Sequence, residues 1–114
     1  MKKLLFLFAL IITSCSSFKS GLIIPANETF ILGESNSKNY SAELVNTSNY
    51  ELKIRVQKKQ NGEYNQGFGL VPKGKVTVYV SSDEIIKFIN NNNLPVKVNV
   101  KMSKEVYGMR YIKN

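Results

Sequence analysis

The chain has 114 residues, a formal net charge of +8, one cysteine and no histidine. That length accommodates one domain. A single thiol excludes an internal disulfide framework and a zinc site built from several thiolates. The lack of histidine removes the commonest general base and the commonest metal ligand together. Apolar residues make up 43% and charged residues 21%, the balance of a chain that buries a core rather than staying disordered.

The chain opens with MKKLLFLFALIITS, followed by Cys15. Lys2 and Lys3 precede an unbroken apolar run from Leu4 to Ile12. As a helix that run spans about 14 Å, too short for a bilayer core of about 30 Å. It has the size of a secretory signal's apolar region. Ile12-Thr13-Ser14-Cys15 resembles the lipobox of bacterial lipoproteins: an aliphatic residue, two small residues, then cysteine. The resemblance covers residues 1–15 and implies a processing route. Cys15 receives a diacylglyceryl thioether, the peptide is cut before it, and the new amino terminus is commonly acylated, for example as palmitate. An ordinary signal peptide with an incidental cysteine is the alternative. Two or more acyl chains anchor stably, whereas one binds only marginally. Removing residues 1–14, with Lys2 and Lys3, takes the chain from 114 to 100 residues and from +8 to +6. Ser16 after the cysteine, and no acid before Lys19, imply an outer-membrane lipoprotein facing the periplasm if the cell has two membranes.

Residues 15–26 read as a lipidated tether, with Leu22-Ile23-Ile24 able to pack as a first edge strand, and residues 27–114 as the domain. From residue 28 the apolar period is two. Glu28–Leu32 is a short strand. Tyr40, Ala42 and Leu44 alternate with polar neighbours, as do Tyr50, Leu52, Ile54 and Val56. Asn61-Gly62 predicts a type I′ hairpin, with a strand returning from Tyr64 to Val71. Pro72-Lys73-Gly74 breaks the chain before Val76, Val78 and Val80. Ser81–Glu84 has capping-box spacing, and Ile85, Ile86 and Ile89 could line one face of a helix. Ile85–Asn90 also reads as a strand buried on both faces, the favoured of the two readings, and helix over residues 82–91 stays open. Asn90–Asn93 is a polar loop. Val96, Val98, Val100 and Met102 alternate with Lys97, Asn99 and Lys101, and a last strand falls within 106–112. Seven or eight short strands predict an all-β, two-layer antiparallel sandwich. Its layout resembles an immunoglobulin-like sandwich over residues 28–104, without that family's cysteine pair or core tryptophan. A small closed barrel is the alternative.

The residues offer little for catalysis. Carboxylates are spaced singly except Asp83-Glu84, which lacks the alternating acids of a calcium loop. No serine sits in a Gly-x-Ser-x-Gly elbow, and Gly67-Phe68-Gly69 precedes no helix that could hold a phosphate. These features predict no cofactor and no metal, and a non-enzymatic module with an envelope protein partner. A small periplasmic hydrolase is the outside alternative. The charge is the strongest surface signal. Lys53 and Arg55 share one polar strand face, and Lys97 and Lys101 share another. If those strands are neighbours, the four form one cationic patch for a phosphorylated lipid or anionic envelope polymer. Fourteen lysines to two arginines weaken bidentate phosphate recognition, and an exported compartment disfavours nucleic acid. Tyr64 and Tyr79 are expected to project outward.

Overall fold

The computed structural model describes residues 18–114, with nine strands and no helix among them. The expected signal peptide, Cys15 and the first residues of the expected tether lie outside the described residues. The strands are β1 (Phe18–Ile24), β2 (Glu28–Leu32), β3 (Tyr40–Asn46), β4 (Leu52–Lys58), β5 (Tyr64–Leu70), β6 (Lys75–Val80), β7 (Glu84–Ile89), β8 (Val96–Met102) and β9 (Met109–Lys113). They form two antiparallel sheets, β1-β8-β3-β6 and β5-β4-β7-β2-β9.

The strands follow the alternation in the sequence. On β8, Val96, Val98, Val100 and Met102 are buried while Lys97, Asn99 and Lys101 are exposed. β4 buries Leu52, Ile54 and Val56. These rows face each other across the sandwich and, with Ile24, Phe30, Leu44, Ile86 and Phe88, make one continuous core. Phe30 and Phe88 meet in a tilted arrangement at 5.8 Å, a favourable geometry for aromatic rings. β7 is buried on both faces over Ile85 and Ile86, as expected for a strand with no alternation.

The two-layer all-β architecture is as expected, but the connectivity is not immunoglobulin-like. Immunoglobulin sheets run A-B-E-D and C-F-G. Here β1 pairs with β8, β3 with β8 and β6, and β2 with β7. This is jelly-roll order, with β9 added beside β2. Only β4 and β5 form a hairpin between consecutive strands. The remaining connections cross from one sheet to the other, and short crossings have the same turn chemistry in sequence as hairpins do.

Three local expectations are revised. Residues 18–24 of the expected tether form an edge strand fully paired to β8. The turn at Asn61-Gly62 is not type I′. Gly62 alone has positive φ, at 70°, and donates its N–H to the Lys58 carbonyl at 3.0 Å, while the Asn61 side chain accepts from Glu63 N. A bulge between Val56 and Gln57 shifts the register and fits this longer loop. The capping-box spacing at 81–84 builds a tight turn into β7. Glu84 N donates to the Ser81 carbonyl, and the Glu84 carboxylate accepts from Ser81 N.

One buried group is left unpaired. The Tyr40 hydroxyl has no hydrogen-bond partner among the described residues. Burial, reinforced by the Glu84 carboxylate, pushes its pKa well above the ordinary tyrosine value. The phenolate is therefore disfavoured in the folded state. Unfolded tyrosine ionises near pH 10, so this group's contribution is intact below about pH 10 and is lost as pH climbs toward the folded value. Tyr40→Phe is expected to be neutral or stabilising by about 1 kcal/mol near neutral pH, because it deletes an unsatisfied hydroxyl. It should also lose less stability than the parent near pH 11. Urea unfolding at both pH values checks this, and clear destabilisation near neutral pH would contradict it.

Candidate functional site

Strand register decides which charges meet on the two outer sheet faces. On the five-stranded sheet one row reads Gly67, Arg55, Lys87, Ile31, Arg110 from β5 to β9. Lys53 stands one row away, beside Gly69 and Ile89. The Arg55 guanidinium lies 4.4 Å from the centre of the Tyr64 ring and donates to its hydroxyl, so this tyrosine face is already occupied. Arg110 forms a bidentate pair with Glu34 at 2.7 and 2.9 Å, which holds the Glu34 carboxyl below its usual pKa. Ile31, between Lys87 and Arg110 in this row, is only 2% exposed. The Glu51 carboxylate fills the space that a side chain on Gly69 would take.

On the four-stranded sheet the corresponding row reads Lys19, Lys101, Glu43, Thr77. The next is Gly21, Asn99, Val45, Lys75, and Lys97 follows beside Ile23. Gly21 has no side chain and Asn99 a short one, so the sheet is hollowed there. The resulting depression has a volume of about 440 Å³ and is lined chiefly by Lys19, Gly21, Glu43, Val45, Asn99 and Lys101. Lys19 and Lys101 are direct cross-strand neighbours, an arrangement that costs a few tenths of a kcal/mol when the charges are alike. No carboxylate lies within ion-pair distance of either among the described residues, and residues 1–17 contain no acid. Glu43, the cross-strand neighbour of Lys101 on its other side, pairs with Lys75 at 3.5 Å.

The four cations singled out in the sequence therefore form two pairs on opposite faces. Lys53 and Arg55 lie on the five-stranded sheet, Lys97 and Lys101 on the four-stranded sheet. Lys19, Lys87 and Arg110 were missed. Nothing in the sequence marks them, because Lys19 becomes a neighbour of Lys101 only through the β1–β8 pairing. Tyr64 and Tyr79 are exposed at 56% and 72%, as expected. Phe68 is half-buried against the core. Cys15 lies outside the described residues. No group of three or more His, Cys, Asp or Glu residues suited to a metal occurs among the described residues.

Comparison with protein families and with curated proteins gave no match. Solved structures share the fold. Peruvianin-I, a cysteine peptidase from Thevetia peruviana latex, aligns with TM-score 0.60 and 8% identity, over 88% of this chain and 58% of its own. This chain thus spans little more than half of that protein. PirA aligns with TM-score 0.57 and 14% identity over 73% of this chain and 91% of its own. The cupin domain of an XRE-family transcriptional regulator from Enterobacter cloacae aligns with TM-score 0.55 and 15% identity, over 82% and 86%. At such identities the likeness is one of fold alone, and it agrees with the jelly-roll strand order.

Proposed function

We propose that this chain is a lipid-anchored accessory module of the bacterial envelope, held to the membrane through Cys15, that acts by binding rather than by catalysis. The observation that carries the reading is the placement of the only cysteine. It closes a lipobox-like run and stands three residues ahead of Phe18, the first described residue of β1. Tethering then confines the module to two dimensions and raises its local concentration for a membrane-side partner.

Mass spectrometry of the native protein tests the anchor. The expected species begins at Cys15, with a diacylglyceryl thioether. Cys15→Ser is expected to abolish lipidation and stop processing at that site. A free thiol on native material, or an amino terminus elsewhere, would end the proposal.

A further inference from the structure

We infer that the Lys19–Lys101 depression is a seat for the anionic headgroup of a membrane phospholipid, and that it turns the four-stranded sheet toward the bilayer. The inference rests on the anchoring reading for its geometry. It adds a site and an orientation that anchoring alone does not supply.

Three observations converge. The first is charge. Two cross-strand lysines stand over the hollow, and neither has a carboxylate within ion-pair distance among the described residues. The one acid on the wall, Glu43, is engaged by Lys75. The outer face carries Lys19, Lys75, Lys97 and Lys101 against Glu43, so its field favours an anion.

The second is position along the chain. Two residues, Ser16 and Ser17, lie between Cys15 and Phe18, and the three residue steps span about 10 Å when fully extended. Lys19 is the second residue of β1, so its strand enters the fold from the membrane side. A depression four residues from an acylated cysteine lies within reach of the headgroup layer. The Lys53–Arg55 face is on the opposite sheet and lacks that proximity.

The third is shape. Gly21 removes a side chain where β1 meets β8 at the sheet edge, so the hollow opens beside an edge strand. A Cβ at Gly21 would meet the Asn99 side-chain oxygen at 3.6 Å, ordinary contact distance. Sterics in the folded domain do not require glycine there. Its effect is to leave room above Asn99.

The test uses the processed, lipidated chain extracted in mild detergent. It is reconstituted into vesicles of phosphatidylcholine alone, or of phosphatidylcholine with an equal part of phosphatidylglycerol. Lysines are then labelled with an amine-reactive reagent and read by mass spectrometry. Lys19 and Lys101 are expected to label about fivefold more slowly in the phosphatidylglycerol vesicles, the discrimination one lysine near an anionic surface provides. Lys53 should label equally in both. Lys101→Gln should relieve the protection of Lys19, and Lys53→Gln should not. Equal labelling of Lys19 and Lys101 in the two vesicles overturns the inference. Equivalent protection in detergent by inorganic phosphate also overturns it, by assigning the hollow to a soluble ion. Flotation with phosphatidylcholine vesicles reads the anchor separately. Failure to float sinks the anchoring reading, while protection by added phosphatidylglycerol vesicles still reports on the hollow.

Discussion

Asn90→Ala is expected to destabilise the domain by about 3 kcal/mol and lower its melting temperature by about 15 °C. The side chain is fully buried at the end where β1 turns into β2 and β7 leads toward β8. Its Nδ2 donates to the carbonyls of Ile24 at 3.0 Å, Pro25 at 3.1 Å and Leu94 at 2.9 Å. Its Oδ1 accepts from Asn92 N at 2.9 Å and from the Asn92 side chain at 2.8 Å. Three carbonyls on one side and an N–H on the other fix which way the amide points. Its own carbonyl accepts from Asn114, so the C-terminal residue is held at the same point. Alanine leaves these groups without partners in a place that water reaches poorly, and each such group costs about 1–3 kcal/mol. Asn90→Asp keeps the shape but turns an oxygen toward carbonyl oxygens, and should be at least as harmful. Asn91→Ala, at an exposed neighbour, should stay within about 0.5 kcal/mol. Thermal and urea unfolding of the three variants checks this. An Asn90→Asp protein as stable as the parent would show that the latch is not holding the loops.

This residue also marks where sequence stops being informative. Asn90–Asn93 reads as a polar loop, and nothing in four identical residues distinguishes the buried first one from the exposed second. The strands were legible because burial alternates within each of them, as in Val96 to Met102 and Leu52 to Val56. β7 was legible only as the favoured of two readings, because adjacent Ile85 and Ile86 fit a strand buried on both faces while the capping-box spacing at 81–84 also fits a helix start. Pairing was not legible. Parity puts Lys97 and Lys101 on one face of β8, but the neighbour of that face is chosen by the whole core. β1 arrives beside β8 from the other end of the chain. For the same reason the expected patch of three lysines and one arginine divides in two, and the cross-strand neighbours of Lys101 are Lys19 and Glu43. The turn at Asn61-Gly62 departs from its dipeptide signal because the bulge at Val56/Gln57 alters how β4 and β5 meet. Tertiary pairing overrides local turn preference there.

Gly108→Ala is expected to cost about 2–3 kcal/mol, from overpacking and a disfavoured backbone angle together. Gly108 has φ of 90°, a region where L side chains are strained. A Cβ there would stand 2.5 Å from Ser35 N and 3.0 Å from Glu34 N, both backbone atoms that cannot swing away. The close approach has a structural reason. The segment from β2 to β3 and the segment from β8 to β9 both cross between the sheets at this end. They are clasped by Gly33 N donating to the Gly108 carbonyl at 2.8 Å and by Ser35 N donating to the Tyr107 carbonyl at 3.3 Å. A methyl group pries this clasp open, and β9 is the element that follows it. The loss should therefore be local as well as global. β9 amides should exchange with solvent faster than those of β4 or β8. The Phe30–Tyr111 packing at 5.0 Å and the Tyr111 hydroxyl's bond to the Ile23 carbonyl should weaken with them. Gly62→Ala separates the two causes. Gly62 also has positive φ, at 70°, but a Cβ there meets nothing closer than the Gln57 side chain at 3.7 Å. That variant carries only the backbone penalty, about 1 kcal/mol. If the two alanine variants prove equally stable, the clasp contributes nothing beyond its backbone angle. If Gly108→Ala is distinctly worse and its β9 amides exchange first, close packing of the crossovers is what holds the ninth strand to the jelly roll.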